Sequence, residues 1–203
     1  MESMDTLFNQ QKQHAPKVAR STVEERILKL RLLEQEILKR QEQITQALHA
    51  DFRKPELETN FTETFLCLHE IRHTIRHLAK WMRPERVSRT LLTVTARSEI
   101  RHEPKGVVLI ISPWNFPIHL AIVPLISAVA AGNCAIVKPS EFTANSSKII
   151  AEIIAAVFQE NEIAVVQGDK DIAIQLLQLP FNHIFFTGSS AVGKIIMKAA
   201  AEH

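Results

Sequence analysis

The sequence is poor in cysteine. Its 203 residues include only two cysteines, Cys67 and Cys134. Two are too few for a disulfide framework, and such sparse use is typical of proteins in a reducing compartment. The N-terminus also lacks the apolar core and small-residue cleavage site of a secretory signal. We therefore expect a cytoplasmic location.

An excess of charge of one sign is missing as well. Lysine and arginine number 24 against 22 aspartates and glutamates, which gives a formal net charge of +2. Such a balance provides no electrostatic footprint for nucleic acid, and we expect no nucleic-acid partner. With 46% hydrophobic and 23% charged residues, the composition is that of an ordinary globular protein.

An unbroken apolar run is absent too. The longest apolar tract covers residues 107–131, and it is interrupted by Pro113, Asn115, Pro117, His119 and Pro124. Because its first part is rich in β-branched residues, a strand, a turn and a helix explain it better than a membrane span. We expect no membrane segment.

The first part of the chain carries a helical pattern. Ser21 and Glu24 have the spacing of a capping box, and apolar residues then recur at helical intervals as far as Leu48. The pattern predicts one long amphipathic helix. The polar Gln41 lies on its apolar stripe, which favours packing on the same chain over the alternative, a coiled-coil seam.

A second helix is predicted from about Thr59 to Met82, ending before Pro84. One of its faces is apolar, formed by Phe61, Phe65, Leu68, Ile71, Ile75, Leu78 and Met82. The stretch "LLTVTARSEIRHEP" that follows predicts a β-hairpin or a pair of short strands.

The second helix also matches the zinc motif H-E-x-x-H at His69, Glu70 and His73. A metalloprotease site would need a third ligand and a walled cleft. The helical period instead places His69, His73 and His77 opposite the apolar face, toward water. We expect a solvated helix face and no metal site.

From Gly106 onward, strand-like and helix-like runs alternate. The runs "VVLIIS", "CAIVKP", "IAVVQG" and "HIFFTG" read as buried strands with helices between them. This alternation predicts an α/β fold with a doubly wound, Rossmann-like parallel sheet, preceded by N-terminal helices and a small hairpin extension. Ligands of such folds bind at the carboxyl ends of the strands.

The last of these strands opens into "GSSAVGKI". Gly188, Gly193 and Lys194 have the spacing of a phosphate-binding P-loop, but Ile195 stands where Mg²⁺ binding needs serine or threonine. The loop is either a degraded nucleoside triphosphatase site or the cradle of a different phosphate. In the second case we expect Ile195 to be a core residue of the last helix.

Two other strand ends carry polar residues with two possible uses. Asn115, held between Pro113 and Pro117, is either a helix cap or an oxyanion donor. Lys138 and Glu141 are either a surface ion pair or a donor and acceptor for the two hydroxyls of a ribose.

Three motifs then occur in order, "SPWNFP", "AAGNCAIVKPSE" and "FNHIFFTGSSAVGK". Together they resemble the aldehyde dehydrogenase superfamily, and "EIRHTIRHLAKWMRPERV" resembles its class 3 branch. The resemblance implies oxidation of an aldehyde substrate to a carboxylic acid, with NAD or NADP as the hydride acceptor. In that family a cysteine thiolate attacks the aldehyde, hydride then passes to the nicotinamide and leaves a thioester, and a water activated by a glutamate hydrolyses the thioester.

The resemblance also assigns roles to residues. It makes Asn115 the oxyanion donor, and Lys138 and Glu141 the ligands of the adenosine ribose. The other cofactor-binding positions that it implies are Ser112, Trp114, Ser140, Gly168, Gly188, Ser189, Ser190, Ala191, Val192 and Gly193. It divides the chain into a helical segment over 1–85, a hairpin of the oligomerisation type over 86–104 and an NAD(P)-binding domain over 105–203, and it implies a homodimer.

The catalytic glutamate and cysteine of the family have no counterpart in the sequence. The resemblance places both beyond His203, so we expect a truncated chain without its catalytic domain and without activity alone. Cys134 lies in a predicted buried strand, where a thiol is inert.

Overall fold

The amino-terminal part of the chain is helical. The computed structural model describes residues 4–88 and 95–203. The first helices are α1 (Met4–Ala19), α2 (Val23–Lys39), α3 (Gln41–Phe52), α4 (Glu56–Thr59) and α5 (Phe65–Trp81), with a π-helical turn (Asn60–Thr64) between α4 and α5.

The predicted long helix over residues 23–48 is wrong in one respect, because it is broken at Arg40. That residue leaves the helical conformation (φ −103°, ψ 15°) and separates α2 from α3. Its guanidinium forms ion pairs with Glu36 at 3.1 Å and with Glu152 at 2.9 Å. These pairs tie the break to a later helix, a tertiary contact that local periodicity does not contain.

The capping box exists one residue later than predicted. The Thr22 hydroxyl accepts from the Glu25 N–H, and the Glu25 carboxylate accepts from the Thr22 N–H. The Ser21 hydroxyl is engaged elsewhere, since it donates to the Val18 carbonyl and accepts from Arg26.

The predicted parallel sheet is confirmed. Strands β3 (Val107–Ile111), β4 (Cys134–Lys138), β5 (Ile163–Val165) and β6 (His183–Phe186) all run parallel, in the order β5-β4-β3-β6. The helices between and after them are α6 (Pro117–Ala131), α7 (Ala144–Val157), α8 (Lys170–Leu176) and α9 (Ser190–Ala200).

Both faces of this sheet are covered, which makes it doubly wound. Val108 and Ile110 pack against a buried cluster that includes residues of α2, α3, α5, α6 and α7. Their strand neighbours Val107 and Leu109 point the other way, toward a second cluster with Phe8 of α1 and residues near α8 and α9. The alternation follows from the two-residue period of a strand.

Two short strands, β1 (Glu85–Arg86) and β2 (Glu99–Ile100), pair antiparallel outside the main sheet. The Val87 N–H donates to the Ser98 carbonyl at 3.1 Å and extends the pairing. The middle of the hairpin predicted over 86–104 lies outside the described residues, and its oligomerisation role stays a prediction. Among the described helices, none is both long and apolar enough to cross a membrane.

The predicted apolar face of the second helix is wrong at its start. Phe61 and Phe65 are 67% and 51% exposed, whereas Glu63 and Thr64 are buried. The π-helical turn adds a residue to the helical period and rotates the faces on either side of it. Beyond the turn, the buried residues include Leu68, Ile71 and Leu78, as predicted.

Candidate functional site

The carboxyl ends of the strands lie along one edge of the sheet. Ile111 is in register with Lys138 and with Phe186, and Val137 is in register with Val165. Backbone hydrogen bonds extend these ladders into the loops: Ser112 N–H donates to the Lys138 carbonyl and Thr187 N–H to the Ile111 carbonyl, both at 3.2 Å. The loops after β3, β4 and β6 therefore begin side by side.

Lys138 and Glu141 meet at the end of β4. The Lys138 ammonium is almost fully buried and donates to the Glu141 carboxylate at 2.9 Å. Burial raises the pKa of Glu141, but the hydrogen bond and the charge of Lys138 outweigh this and hold the pKa below 4.5. The negative charge of the Asp169 carboxylate raises the pKa of Glu141, so Asp169 also acts electrostatically on this site.

Ser140 lies in the turn between these two residues. Its hydroxyl accepts from the Phe142 N–H at 3.3 Å, and its carbonyl accepts from the hydroxyls of Thr143 and Ser147. These contacts shape the turn. Contact of Ser140 with a cofactor stays a prediction.

Asn115 is exposed in the turn after β3, and it does not cap α6. The residue at the cap position is Phe116, which provides no side-chain cap. The Glu63 carboxylate accepts the N–H groups of Ile118 and His119 at 3.1 and 2.9 Å instead. No described residue forms a hydrogen bond with the Asn115 side-chain amide, which leaves that amide available to a ligand.

The other two predicted residues of this turn differ in exposure. Ser112 is buried, and its hydroxyl has no hydrogen-bond partner in the described part of the chain. Trp114 is 54% exposed and lies against Phe52, with ring centroids 6.1 Å apart. A buried hydroxyl without a partner is costly, which marks Ser112 as a candidate ligand contact.

Two glycines at the strand-end edge occupy positions that exclude a side chain. Gly168 has φ 150°, a conformation that favours glycine, and a Cβ there would overlap Ile172. A Cβ at Gly188 would overlap the ring of Phe186. Packing alone therefore accounts for the absence of a side chain at Gly188, whether or not a phosphate approaches it.

The loop after β6 leads directly into the N-terminus of α9. Ser189 caps this helix by accepting from the Val192 N–H at 3.4 Å. Ser190 and Ala191 lie exposed in the first turn, followed by Val192 at 44% exposure and the half-buried Gly193. The expectation that Ile195 is a core residue is wrong: it is 60% exposed, and Ile196 is the buried neighbour.

The two cysteines lie in the core. Cys67 and Cys134 are both fully buried, and burial raises the pKa of each thiol, that of Cys134 to about 12. The prediction that Cys134 lies in a buried strand is confirmed. A raised thiol pKa disfavours the thiolate, the form that acts as a nucleophile.

The histidine stripe of α5 is only partly solvated. His69 is exposed, but His73 and His77 are half-buried, with ring centroids 4.3 Å apart, and His77 stacks on Trp81. Ring packing with Trp81 explains why these two histidines do not face water freely. Within residues 4–88 and 95–203, no group of three or more metal-ligating side chains lies close enough to hold an ion.

Two adjoining grooves lie away from the strand-end edge. One, of about 320 Å³, is lined by residues that include Arg26, Leu78 and Trp81. The other, of about 380 Å³, is lined by Lys105, Asn133 and other residues near the amino ends of the strands. Neither lining includes a residue predicted for the cofactor site, so the two grooves are not part of the candidate site.

Two functional candidates, Lys54 and Glu63, were missed in the sequence. The apolar periodicity predicted that Phe61 and Phe65 are buried, which placed Glu63 on the exposed face. No local sequence signal marks the π-helical turn that reverses this. The Lys54 ammonium donates to Glu63 at 2.7 Å and to the Asn115 carbonyl at 3.3 Å. Only the tertiary structure brings these residues to the Asn115 turn.

Comparison with known proteins gives consistent results. The sequence pattern of the Aldehyde dehydrogenase family matches residues 1–203. Aldehyde dehydrogenase family 3 member B2 of Mus musculus is 43% identical over 178 residues, 88% of this chain and 37% of that protein. Family 3 member A2 of Macaca fascicularis is 40% identical over the same length and the same shares.

Among solved structures, the substrate-bound state of Staphylococcus aureus AldH superposes with a TM-score of 0.96 at 36% sequence identity. The match covers 100% of this chain and 44% of that one. The chain spans less than half the length of these relatives. With a family pattern along its whole length and a matching fold, the chain belongs to the aldehyde dehydrogenase family.

Proposed function

We propose that the strand-end edge binds NAD or NADP and that the chain supplies the cofactor side of an aldehyde oxidation. The observation that carries this proposal is the buried Lys138, paired with Glu141 at the end of β4 and joined through its carbonyl to the start of the Asn115 turn. An ammonium and a carboxylate at one strand end provide a donor and an acceptor for the two hydroxyls of a ribose.

Other residues at the edge suit the remaining parts of a dinucleotide. The exposed first turn of α9 directs backbone N–H groups outward, a favourable environment for a pyrophosphate. The unpartnered Ser112 hydroxyl and the exposed Trp114 ring lie in the turn after β3, the strand next to β6. When bound, NAD or NADP supplies the hydride acceptor.

Asn115 is proposed to act on the substrate side of the edge. Its side-chain amide is exposed and is not used to cap a helix. An amide N–H directed at the aldehyde oxygen would stabilise the negative charge that develops there when a nucleophile attacks the carbonyl carbon.

The nucleophile must come from outside residues 1–203. Cys67 and Cys134 are buried, with raised thiol pKa values, and neither lies in a turn at the strand-end edge. We therefore infer that the 203-residue chain binds cofactor but does not oxidise aldehydes alone. Turnover of an aldehyde by the purified chain, free of contaminating enzyme, would contradict this inference.

Calorimetric titration of the chain with NAD and with NADP tests the cofactor site. Lys138→Ala and Glu141→Ala should each weaken binding about tenfold or more, the usual effect of losing a hydrogen bond to a charged group. Lys148→Ala is the matched control, because Lys148 is an exposed lysine on α7. Equal affinity in all four proteins, or no binding at millimolar cofactor, would refute the proposal.

A second candidate is a nucleotide-binding or assembly module without catalysis. The burial of both cysteines favours it, because the chain then has no activated thiol of its own. Cofactor binding does not separate the two candidates, but activity does. The test is to express a longer family polypeptide that carries these residues and to measure aldehyde oxidation. Activity would support the first candidate, and no activity would support the second.

We also propose a cytoplasmic homodimer for the intact enzyme. The proposal rests on two reduced, buried cysteines and on the class 3 resemblance. Cell fractionation and light scattering of the intact enzyme test the two parts separately.

A further inference from the structure

Glu63 occupies a place that an ordinary helical period would give to an apolar residue. Its side chain is fully buried, whereas the neighbouring rings of Phe61 and Phe65 face solvent. The π-helical turn at residues 60–64 produces this inversion. A buried carboxylate beside exposed aromatic rings conflicts with the usual rule that apolar side chains are buried. Exceptions to such rules are expected at functional sites.

Both oxygens of the Glu63 carboxylate are engaged. One accepts from the Ile118 and His119 N–H groups at the start of α6, and the other accepts from Lys54 at 2.7 Å. The residue thereby caps α6 through Ile118, which lies 55 positions later in the chain.

Lys54 holds the other side of the same turn. Its ammonium, also buried, donates to the Asn115 carbonyl at 3.3 Å and lies 4.5 Å from the centroid of the Phe116 ring. Lys54 therefore fixes the turn at residues 115 and 116, and Glu63 fixes it at residues 118 and 119. Asn115 stands at one end of this clamped segment.

A buried ion pair of this kind is a poor stabilising device. Burial raises the pKa of the Glu63 carboxyl, while the hydrogen bonds from Lys54 and the two N–H groups oppose the rise. Apolar residues of similar volume often give equal stability, so stabilisation alone does not account for the pair.

We propose that Lys54 and Glu63 are positioning residues for Asn115. Together they hold the turn so that the Asn115 amide stays directed outward at the strand-end edge, free to donate to a substrate oxygen. The inference rests on the role proposed above for Asn115, but its structural content can be tested without any turnover.

Nuclear magnetic resonance of the ¹⁵N-labelled chain provides the test. In Glu63→Gln, the Ile118 and His119 amides should exchange with solvent about tenfold faster, which corresponds to ~1.4 kcal/mol of lost local protection. The signals of the Asn115 side-chain amide should shift in the same variant. Lys54→Arg, which keeps the charge, should retain most of the wild-type signals.

Asp51→Asn is the matched control. The Asp51 carboxylate caps α7 by accepting from the Asn145 and Ser146 N–H groups at 3.2 and 2.8 Å. This variant should speed exchange at Asn145 and Ser146 and leave the Asn115 side-chain signals in place. If Asp51→Asn moves those signals as much as Glu63→Gln does, the effect is general loosening and the proposal is wrong.

A second variant decides the matter if Glu63→Gln does not fold. Lys54→Gln removes the ammonium and leaves the Glu63 cap of α6 in place, so the Asn115 signals must still shift; unchanged signals would overturn the proposal. Cofactor titration of the same proteins reports separately on the proposed function. If none of these proteins, the wild-type chain included, binds cofactor but the expected shifts occur, the proposed function is refuted and the positioning role stays supported.

Discussion

Burial of individual side chains decides which groups in this chain can react. Cys134 lies inside β4, where burial raises its thiol pKa to about 12, and burial raises the pKa of Cys67 as well. Since only the thiolate is nucleophilic, iodoacetamide at pH 8 should leave both cysteines of the native chain unmodified. Mass spectrometry should find two labels after denaturation, and a label on the native chain would contradict the structure.

The Lys138–Glu141 pair leads to a prediction on pH. Because the folded-state pKa of Glu141 lies below 4.5, the pair stabilises the fold above the unfolded pKa, and this contribution is lost as pH falls through the folded value. Thermal unfolding between pH 6 and pH 3 should show a smaller loss of stability in Glu141→Gln than in the wild-type chain. Glu162→Gln is the control for general charge effects, because the Glu162 carboxylate pairs with Lys29, away from the Lys138–Glu141 pair.

At the scale of single elements, the start of α2 gives a direct test. Thr22→Ala removes a reciprocal cap and should lower the free energy of unfolding by ~1 kcal/mol. Thr45→Ala in the middle of α3 is the control, because alanine is the better helix former there. Urea denaturation measures both, and a larger loss from Thr45→Ala would contradict the assigned cap.

Most helices and strands could be predicted from the sequence, whereas the interruptions within the helices could not. Apolar periodicity gave the helices around Leu30 and Leu78 and the buried strands at Val107 and Cys134, because each of these depends on a local pattern. The break at Arg40 depends on Glu152, and the inward position of Glu63 depends on Ile118. Such partners lie tens of residues away, beyond the reach of any local pattern.

The same distinction applies to the candidate site. The motif residues Asn115 and Lys138 could be identified because they directly follow buried strands in the sequence. The residue that caps α6 could not, so the sequence left Asn115 with two possible roles. The structure removes one of them, since Glu63 provides the cap.

At the scale of the whole molecule, the sheet ends at an exposed edge. Strand β6 is the outer strand next to β3, and Phe185 is 42% exposed on it. An outer strand with exposed apolar side chains favours association between copies. Light scattering should show that the 203-residue chain associates with increasing concentration and that Phe185→Glu reduces the association.

Leu57→Glu is the control for this edge. Leu57 is 77% exposed on α4, a helix that does not belong to the sheet. If both variants reduce association equally, exposed apolar surface in general is responsible and the edge has no special part. A wild-type chain that stays monomeric at all concentrations would contradict the prediction outright.

The surroundings of the two tryptophans make the chain its own optical reporter. Trp114 is half-exposed in the turn that holds Asn115, while Trp81 stacks on His77 at the end of α5. Replacing Trp81 by phenylalanine would leave one indole, located where a dinucleotide is proposed to bind. Its emission would then follow cofactor titrations directly, without an added dye or a coupled assay.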